Sequence, residues 1–260
     1  MKEAARKEGN VRELPAGEVP TCPILGVRIA AIDMKTALAY IQEHLRELSG
    51  NYICISNVHT TVTSYEDAEY RKIQNGGALA LPDGKPLSVL CRKRGFAGAD
   101  RVTGPDLMRE IFDRSEKCGY RHYFYGSTPE TLKVLEQKLK EQWRLNIVGL
   151  ESPPFRALTP EEDARAVERI NASGADFVWI GLGAPKQERW MAAHQGLVQG
   201  LMIGVGAGFD YFAGNIKRAP MWMQKLSLEW LYRLLQDPKR LFRRYLVTNT
   251  KFLWLTARGK

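Results

Sequence analysis

The chain has 260 residues, 44% hydrophobic and 26% charged, with 38 Lys or Arg against 29 Asp or Glu for a formal net charge of +9. That length buries a full core and suits one large domain or one domain with an appendage, and no window reaches the ~20 uninterrupted apolar residues of a membrane-spanning helix, so a soluble or peripheral protein is expected. The charge is unevenly placed: 11 basic residues and only two acids, Glu229 and Asp237, fall between Lys217 and Lys260, so residues 1–216 balance and the tail alone carries the +9.

In chain order, the opening MKEAARKEGNVRELPAGEVP lacks the apolar stretch of a signal peptide and reads as a polar, mobile leader over residues 1–20. Cys22, Cys54, Cys91 and Cys118 show no CxxC spacing, which favours buried thiols in a reducing cytoplasm over disulfides or a metal site. YICIS is a strand leading into a helical NVHTTVTSYEDAEYRKIQNG, and ALALPDG is a second leading into KPLSVLCRKRG. Arg101, in DRVTGPDLM, precedes a helix start. RHYFYG runs into TLKVLEQKLKEQW, with Ser127 or Thr128 as cap, Pro129 in the first turn and Glu130 at its positive end. ADFVWIGLGAPKQE opens RWMAAHQ, and GLMIGVGAGFDYFAG is the last strand. This alternation predicts an α/β fold around a mostly parallel sheet, with ligands in the crevice beyond the carboxyl ends of the strands. A catalytic domain over 21–215 and a C-terminal segment over 216–260 follow from the charge split.

The residues just past those strand ends are the candidates. Gly181 and Gly183 in GLGAP and Gly204, Gly206 and Gly208 in GVGAG let backbone N–H groups approach an anion, which implies a nucleotide or sugar nucleotide; either motif alone also makes a tight turn. Neither run completes a dinucleotide fingerprint, since the third glycine position after Gly204 and Gly206 is Phe209, and GxxxxGK[ST] is absent. Asp83 directly follows an apolar strand, where an ionised carboxylate can act as general base, although Pro-Asp-Gly is equally a turn sequence. Asp210 in GFDYF fits a ribose-binding carboxylate or a turn cap. His59 is the alternative base, although a lone histidine near a strand end is more often a structural residue, and Arg101 could neutralise a diphosphate or equally face solvent. No carboxylate or histidine pairing has metal-ligand spacing.

With these residues in place, the stretches SNVHTTVTSYEDAEYRKIQN, LPDGKPLS, RVTGPDLM, GLGAPKQERWM, GVGAGFDYFAGNIKRAP and LEWLYRLLQDPKRLFRRY resemble, in order from Ser56 to Tyr245, the bacterial WecG/TagA/CpsF glycosyltransferases. The resemblance implies a Rossmann-like core and inverting, metal-independent transfer of an N-acetylmannosamine-type sugar from UDP to a polyprenyl-diphosphate-linked N-acetylglucosamine, with no cofactor. It implies Asp83 as catalytic base, Asn57 and Arg101 as its motif amide and arginine, and Gln187 on the donor phosphates or sugar. Asp210 would hold the uridine ribose, and Arg233, Arg240 and Arg243 would serve a membrane-docking appendage. Ile55, two residues before Asn57, and Lys85, after PDG, depart from many relatives and bear on the identity of the sugar, which could also be another hexose or a uronic acid.

The tail fits that setting. From Pro238, helical spacing puts Leu241, Phe242, Tyr245, Leu246, Phe252 and Leu253 on one arc and Lys239, Arg240, Arg243, Arg244 and Lys251 on the other, an amphipathic helix suited to an anionic membrane surface. A helix packed on the core with a solvated basic face is the alternative. These readings place the protein in the cytoplasm, peripheral on the inner face of the cell membrane, without a nucleic-acid partner and with homo-oligomerisation left open. A nucleic-acid-binding protein explains the tail's charge but leaves the paired glycine turns idle.

Overall fold

In the computed structural model, which describes residues 19–225 and 228–259, the chain opens with an antiparallel hairpin of β1 (Thr21–Ile24) and β2 (Val27–Ala30). Leu25 and Gly26 at its tip both take positive φ, 50° and 82°, the geometry of a two-residue turn matched to strand twist. The leader, except for its last two residues, lies outside the described residues.

Six parallel strands follow: β3 (Tyr52–Ser56), β4 (Leu79–Pro82), β5 (Arg121–Gly126), β6 (Asn146–Glu151), β7 (Phe177–Gly181) and β8 (Leu201–Gly204), in the spatial order β4-β3-β8-β7-β5-β6. Strands covered on both faces read as continuous apolar runs, and β3, wholly buried as YICIS, is of this kind. Its side chains alternate between two cores. Ile53 and Ile55 join Phe124, Trp179 and Ile203 on one face, while Tyr52 and Cys54 join Val178, Ile180 and Met202 on the other. The first core is closed by α1 (Met34–Glu43), α5 (Gly104–Cys118), α6 (Pro129–Trp143) and α9 (Gly208–Ala213). The second is closed by α7 (Pro160–Ala172) and α8 (Lys186–Ala193), with α3 (Ala68–Gly76) packed against α8. A third cluster joins the hairpin to α2 (Val58–Glu66) and α4 (Lys85–Lys93) through Cys22, Ile29, Val62, Leu87 and Cys91. The α/β class and parallel sheet therefore stand as the sequence implied. Thr128, rather than Ser127, caps α6, accepting from Thr131 N at 3.2 Å.

Three features differ from the sequence reading. The stretch 57–76, expected as one helix, is two, because Asp67 is extended (φ −121°, ψ 105°) and caps α3 by accepting from Tyr70 N at 3.0 Å. The hairpin and β6 were not anticipated; β6 is an edge strand whose side chains are only partly buried, so its apolar signal is weak. The third concerns the tail, which forms α10 (Met221–Lys225), α11 (Glu229–Gln236) and α12 (Pro238–Ala257). It is not a loose appendage. α12 packs along α2, Leu241 is fully buried, and Phe252 and Leu255 belong to the same cluster as Cys22 and Val62. The single apolar arc read from helical spacing is thus divided, with Leu241 and Phe252 turned inward and Phe242, Leu246 and Leu253 exposed.

Candidate active site

The helices that follow the neighbouring strands β3 and β8 leave toward opposite faces, α2 to one and α9 to the other, which opens a crevice at their carboxyl ends. A cleft of about 570 Å³ occupies it, floored by strand ends and roofed by α11 and α12.

Strand register builds its centre. Ser56 pairs with Pro82 across β3 and β4, and Asp83 N donates to Ser56 O at 2.7 Å, so the next residues, Asn57 and Asp83, emerge side by side. Asn57 Oδ1 caps α2 by accepting from His59 N (3.0 Å) and Thr60 N (3.2 Å). That fixes the amide and leaves its nitrogen to hydrogen-bond Asp83. Val102 N donates to Pro82 O at 2.8 Å, which brings Arg101 to the same strand end. Asp83 is half-buried on the cleft wall. Burial pushes its pKa up to about 6; Arg101, the Asn57 hydrogen bond and Arg218 pull it down, while Asp106 adds to the rise. A carboxylate of this pKa is mostly ionised at pH 7 yet far more basic than an exposed Asp, as a general base requires.

Beside it, two arginines and two acids interlock. Arg218 grips Asp106 bidentately at 2.6 and 3.0 Å and lies 3.8 Å from Glu229. Arg101 contacts Glu229 directly and stands 3.8 Å from Asp106. Burial raises the pKa of Asp106, but hydrogen bonds from Arg218 and Thr103 outweigh it and leave the carboxyl below its usual range. Arg101 and Asp106 come from the core and Arg218 and Glu229 from the C-terminal segment, so the cluster ties one to the other.

Two expected ligand contacts are already occupied. Gly206 takes positive φ (53°) and its N–H donates to Gln187 Oε1 at 3.0 Å, so that amide is not free for a phosphate. Gln187 Nε2 in turn donates to Glu188 Oε1 at 2.8 Å. Glu188 is fully buried, and burial raises its pKa. Gln187 thus lines the cleft while bracing the Gly206 turn. Gly183 (φ 77°) also lines the cleft, with open space where a side chain would stand.

Of the residues singled out in the sequence, Asn57, Asp83, Arg101, Gly183, Gln187, Gly206, Arg233 and Arg240 meet in this cleft. Asp210 does not: it sits in α9, accepts from Asn215 Nδ2 at 3.1 Å and faces a neighbouring depression that shares Arg233 with the cleft. Arg243 is exposed and points elsewhere, because the adjacent residue on a helix is turned by 100°; Arg244 lines the cleft in its place. Arg240 is held by Asp237 at 2.5 Å. Sequence reasoning also missed Asp106, Arg218, Glu229 and Tyr211. Asp106 and Arg218 lie inside motif stretches quoted for the resemblance, but no spacing rule pairs residues 112 positions apart. Among the described residues, six cations (Lys85, Arg101, Arg218, Arg233, Arg240, Arg244) line the cleft against two carboxylates, Asp83 and Glu229. No group of three His, Cys, Asp or Glu among the described residues is arranged to hold a metal, and none of the described helices is long and apolar enough to cross a membrane.

Residues 22–260 match the model of the glycosyl transferase WecG/TagA/CpsF family, nearly the whole chain, and the protein belongs to that family of glycosyltransferases.

Proposed function

We propose that the protein is an inverting glycosyltransferase that moves an N-acetylmannosamine-type sugar from a UDP-sugar to a polyprenyl-diphosphate-linked N-acetylglucosamine, without a metal, in the synthesis of a cell-surface polysaccharide or teichoic acid. The observation that carries the reading is Asp83, half-buried at the end of β4 with its pKa raised to about 6 and surrounded by the surplus of cations in the cleft. Asp83 takes the proton from the acceptor hydroxyl as that oxygen attacks the anomeric carbon, and the bond to UDP breaks on the opposite side. The arginines stabilise the charge that develops on the diphosphate leaving group. Asn57 holds Asp83 in register, while Gln187 and Gly183 shape the donor side.

A lipid-linked acceptor fits the roof. Trp222, Leu235, Phe242, Leu246, Leu253 and Trp254 are exposed on the C-terminal helices beside the cleft, an apolar surface on a strongly basic segment, which suits docking to an anionic bilayer. Lys85 favours a second donor: it lines the cleft with no carboxylate paired to it among the described residues, and would meet the carboxylate of a UDP-uronic acid. The test is a panel of UDP-N-acetylhexosamines, UDP-hexoses and UDP-uronic acids with a synthetic prenyl-diphosphate N-acetylglucosamine, read by mass spectrometry. Product from UDP-N-acetylmannosamine with inverted anomeric configuration is expected; transfer from no UDP-sugar at all overturns the reading.

A further inference from the structure

We propose that Glu188 is a positioning residue for the cleft: by accepting from Gln187 it fixes which way round that amide stands, and through it the turn at Gly206. Gln187 is buried, and both ends of its amide are engaged. Its Oε1 accepts from Gly206 N at 3.0 Å, and its Nε2 donates to Glu188 Oε1 at 2.8 Å. A backbone N–H only donates and an ionised carboxylate only accepts, so the flipped amide would turn its nitrogen to a donor and its oxygen to an acceptor. Of two amide orientations of nearly equal shape, one alone suits both neighbours. Without the Glu188 oxygen, Gln187 loses the partner that holds its nitrogen away from Gly206.

The surroundings are shaped for that contact. β8 ends at Gly204, where a Cβ would stand 3.1 Å from Gln187 Nε2 and 2.7 Å from Met191 Cε, so the strand end is bare where the amide lies. Glu188 itself is fully buried, so it reaches the cleft through its neighbour. Burial raises its pKa, and the hydrogen bond from Gln187 is the strongest influence opposing that rise. A buried carboxyl is costly unless it is hydrogen-bonded, and an apolar side chain would fill the same space at less cost. The contact with Gln187 is therefore what the carboxyl adds. Gln187 and Gly206 both line the cleft, on the side given above to the sugar donor. The effect on the donor rests on the function proposed above; the orientation of Gln187 rests on the hydrogen bonds alone.

Two measurements on the full-length protein test this: amide hydrogen exchange by NMR after selective glycine and valine labelling, and calorimetric titration with UDP and UDP-N-acetylmannosamine. Val205, whose N–H donates to Ile180 O at 3.0 Å, is the internal reference beside Gly206. Glu188→Met and Gln187→Met keep the length of each side chain and remove the contact, while Glu188→Gln keeps an oxygen for Gln187 Nε2. Melting temperatures report whether each variant is folded. Exchange at Gly206 is expected to quicken about tenfold relative to Val205 in Glu188→Met and in Gln187→Met, and to stay within about twofold of the wild type in Glu188→Gln. UDP-N-acetylmannosamine should bind about tenfold more weakly to Glu188→Met and as before to Glu188→Gln. The double variant should bind it no more weakly than Gln187→Met alone, because one residue acts through the other. A purely structural role would lower the melting temperature without singling out Gly206, and its effect would add to that of Gln187→Met. The proposal is overturned if Gly206 of the wild type exchanges as fast as an unstructured amide, a result that needs no variant to fold. It is equally overturned if folded Glu188→Met leaves that exchange unchanged, or if Glu188→Gln exchanges as fast as Glu188→Met. Quickened exchange with unchanged donor affinity overturns the effect on the donor. Wild-type protein that shows the expected exchange but binds neither UDP nor UDP-N-acetylmannosamine overturns the glycosyltransfer reading and leaves the positioning of Gln187 standing.

Discussion

At the scale of single residues, Asp83 is the side chain proposed as the base, and its raised pKa gives two separable expectations. As a base it must be ionised, so kcat/KM should fall as pH drops through about 6, the pKa at which burial holds it. Asp83→Asn should retain UDP binding and lose turnover by ~10²- to 10⁴-fold; normal turnover at saturating substrate would remove Asp83 from the mechanism. Stability should move the other way. The folded pKa of about 6 lies above the ordinary 3.8, so the charged form is disfavoured in the fold and its cost is complete above pH 6. Asp83→Asn should therefore be the more stable protein at pH 7.5, by about 1–2 kcal/mol after allowing for solvent in the cleft, with the difference vanishing near pH 4. Arg218 gives a second test, because it lowers the Asp83 pKa and neutralises Asp106, which raises it. Arg218→Met should shift the acid limb of the activity profile upward; an unmoved limb would show that Arg218 does not act on Asp83.

At the scale of elements, α12 does two jobs with two apolar surfaces. Leu241, Phe252 and Leu255 are buried, and Phe242, Leu246 and Leu253 are exposed. Leu241→Ala should cost about 2–5 kcal/mol of stability, as expected for a buried leucine whose cavity is not refilled. A triple change of Phe242, Leu246 and Leu253 to Glu should leave the melting temperature within a few degrees of wild type. It should abolish sedimentation with anionic vesicles, since it removes the apolar surface and three acids oppose the lipid charge. Retained vesicle binding by the triple variant would place docking elsewhere. Removal of everything after Asn215 is a poorer experiment than the charge count alone implies, because it uncovers Cys22, Val62 and Leu87 on the hairpin side of the sheet.

Across the whole molecule, the Arg101–Asp106–Arg218–Glu229 cluster and the α2–α12 packing fasten the basic segment over the sheet, so Asp83 and the apolar roof are tied together through these contacts. Under the proposed function, a lipid-linked acceptor would reach Asp83 past the arginines of α11 and α12 that line the cleft. Transfer to the lipid-linked acceptor should thus track vesicle binding as salt is raised, because screening shortens the reach of exposed charges to about 8 Å at physiological ionic strength. Under the proposed function, the arginines of the cleft rather than a metal stabilise the developing charge. Treatment with a chelator should leave activity intact; activity lost and restored only by a divalent ion would overturn metal-independent transfer.

What the sequence determined alone was what local chemistry encodes. Apolar runs ending in Gly or Pro turns set the strands of an α/β sheet, Thr128 and Pro129 started a helix, and the position of Asp83 just past a strand end pointed to the crevice. Where local signals were weak or double, the reading slipped: the half-exposed β6 went unseen and Asp67 split a helix that looked continuous. Only the tertiary structure decided which charges converge. Asp106 and Arg218 meet across 112 residues of sequence, and Arg101 reaches Glu229 from another element altogether. Helical spacing could not tell Arg243 from Arg244, because which face of α12 turns inward depends on α2 and the hairpin packed beneath it. The same long-range packing closed the Gly206 amide with Gln187, since sequence fixes which groups can bond but the fold fixes which of them find a partner.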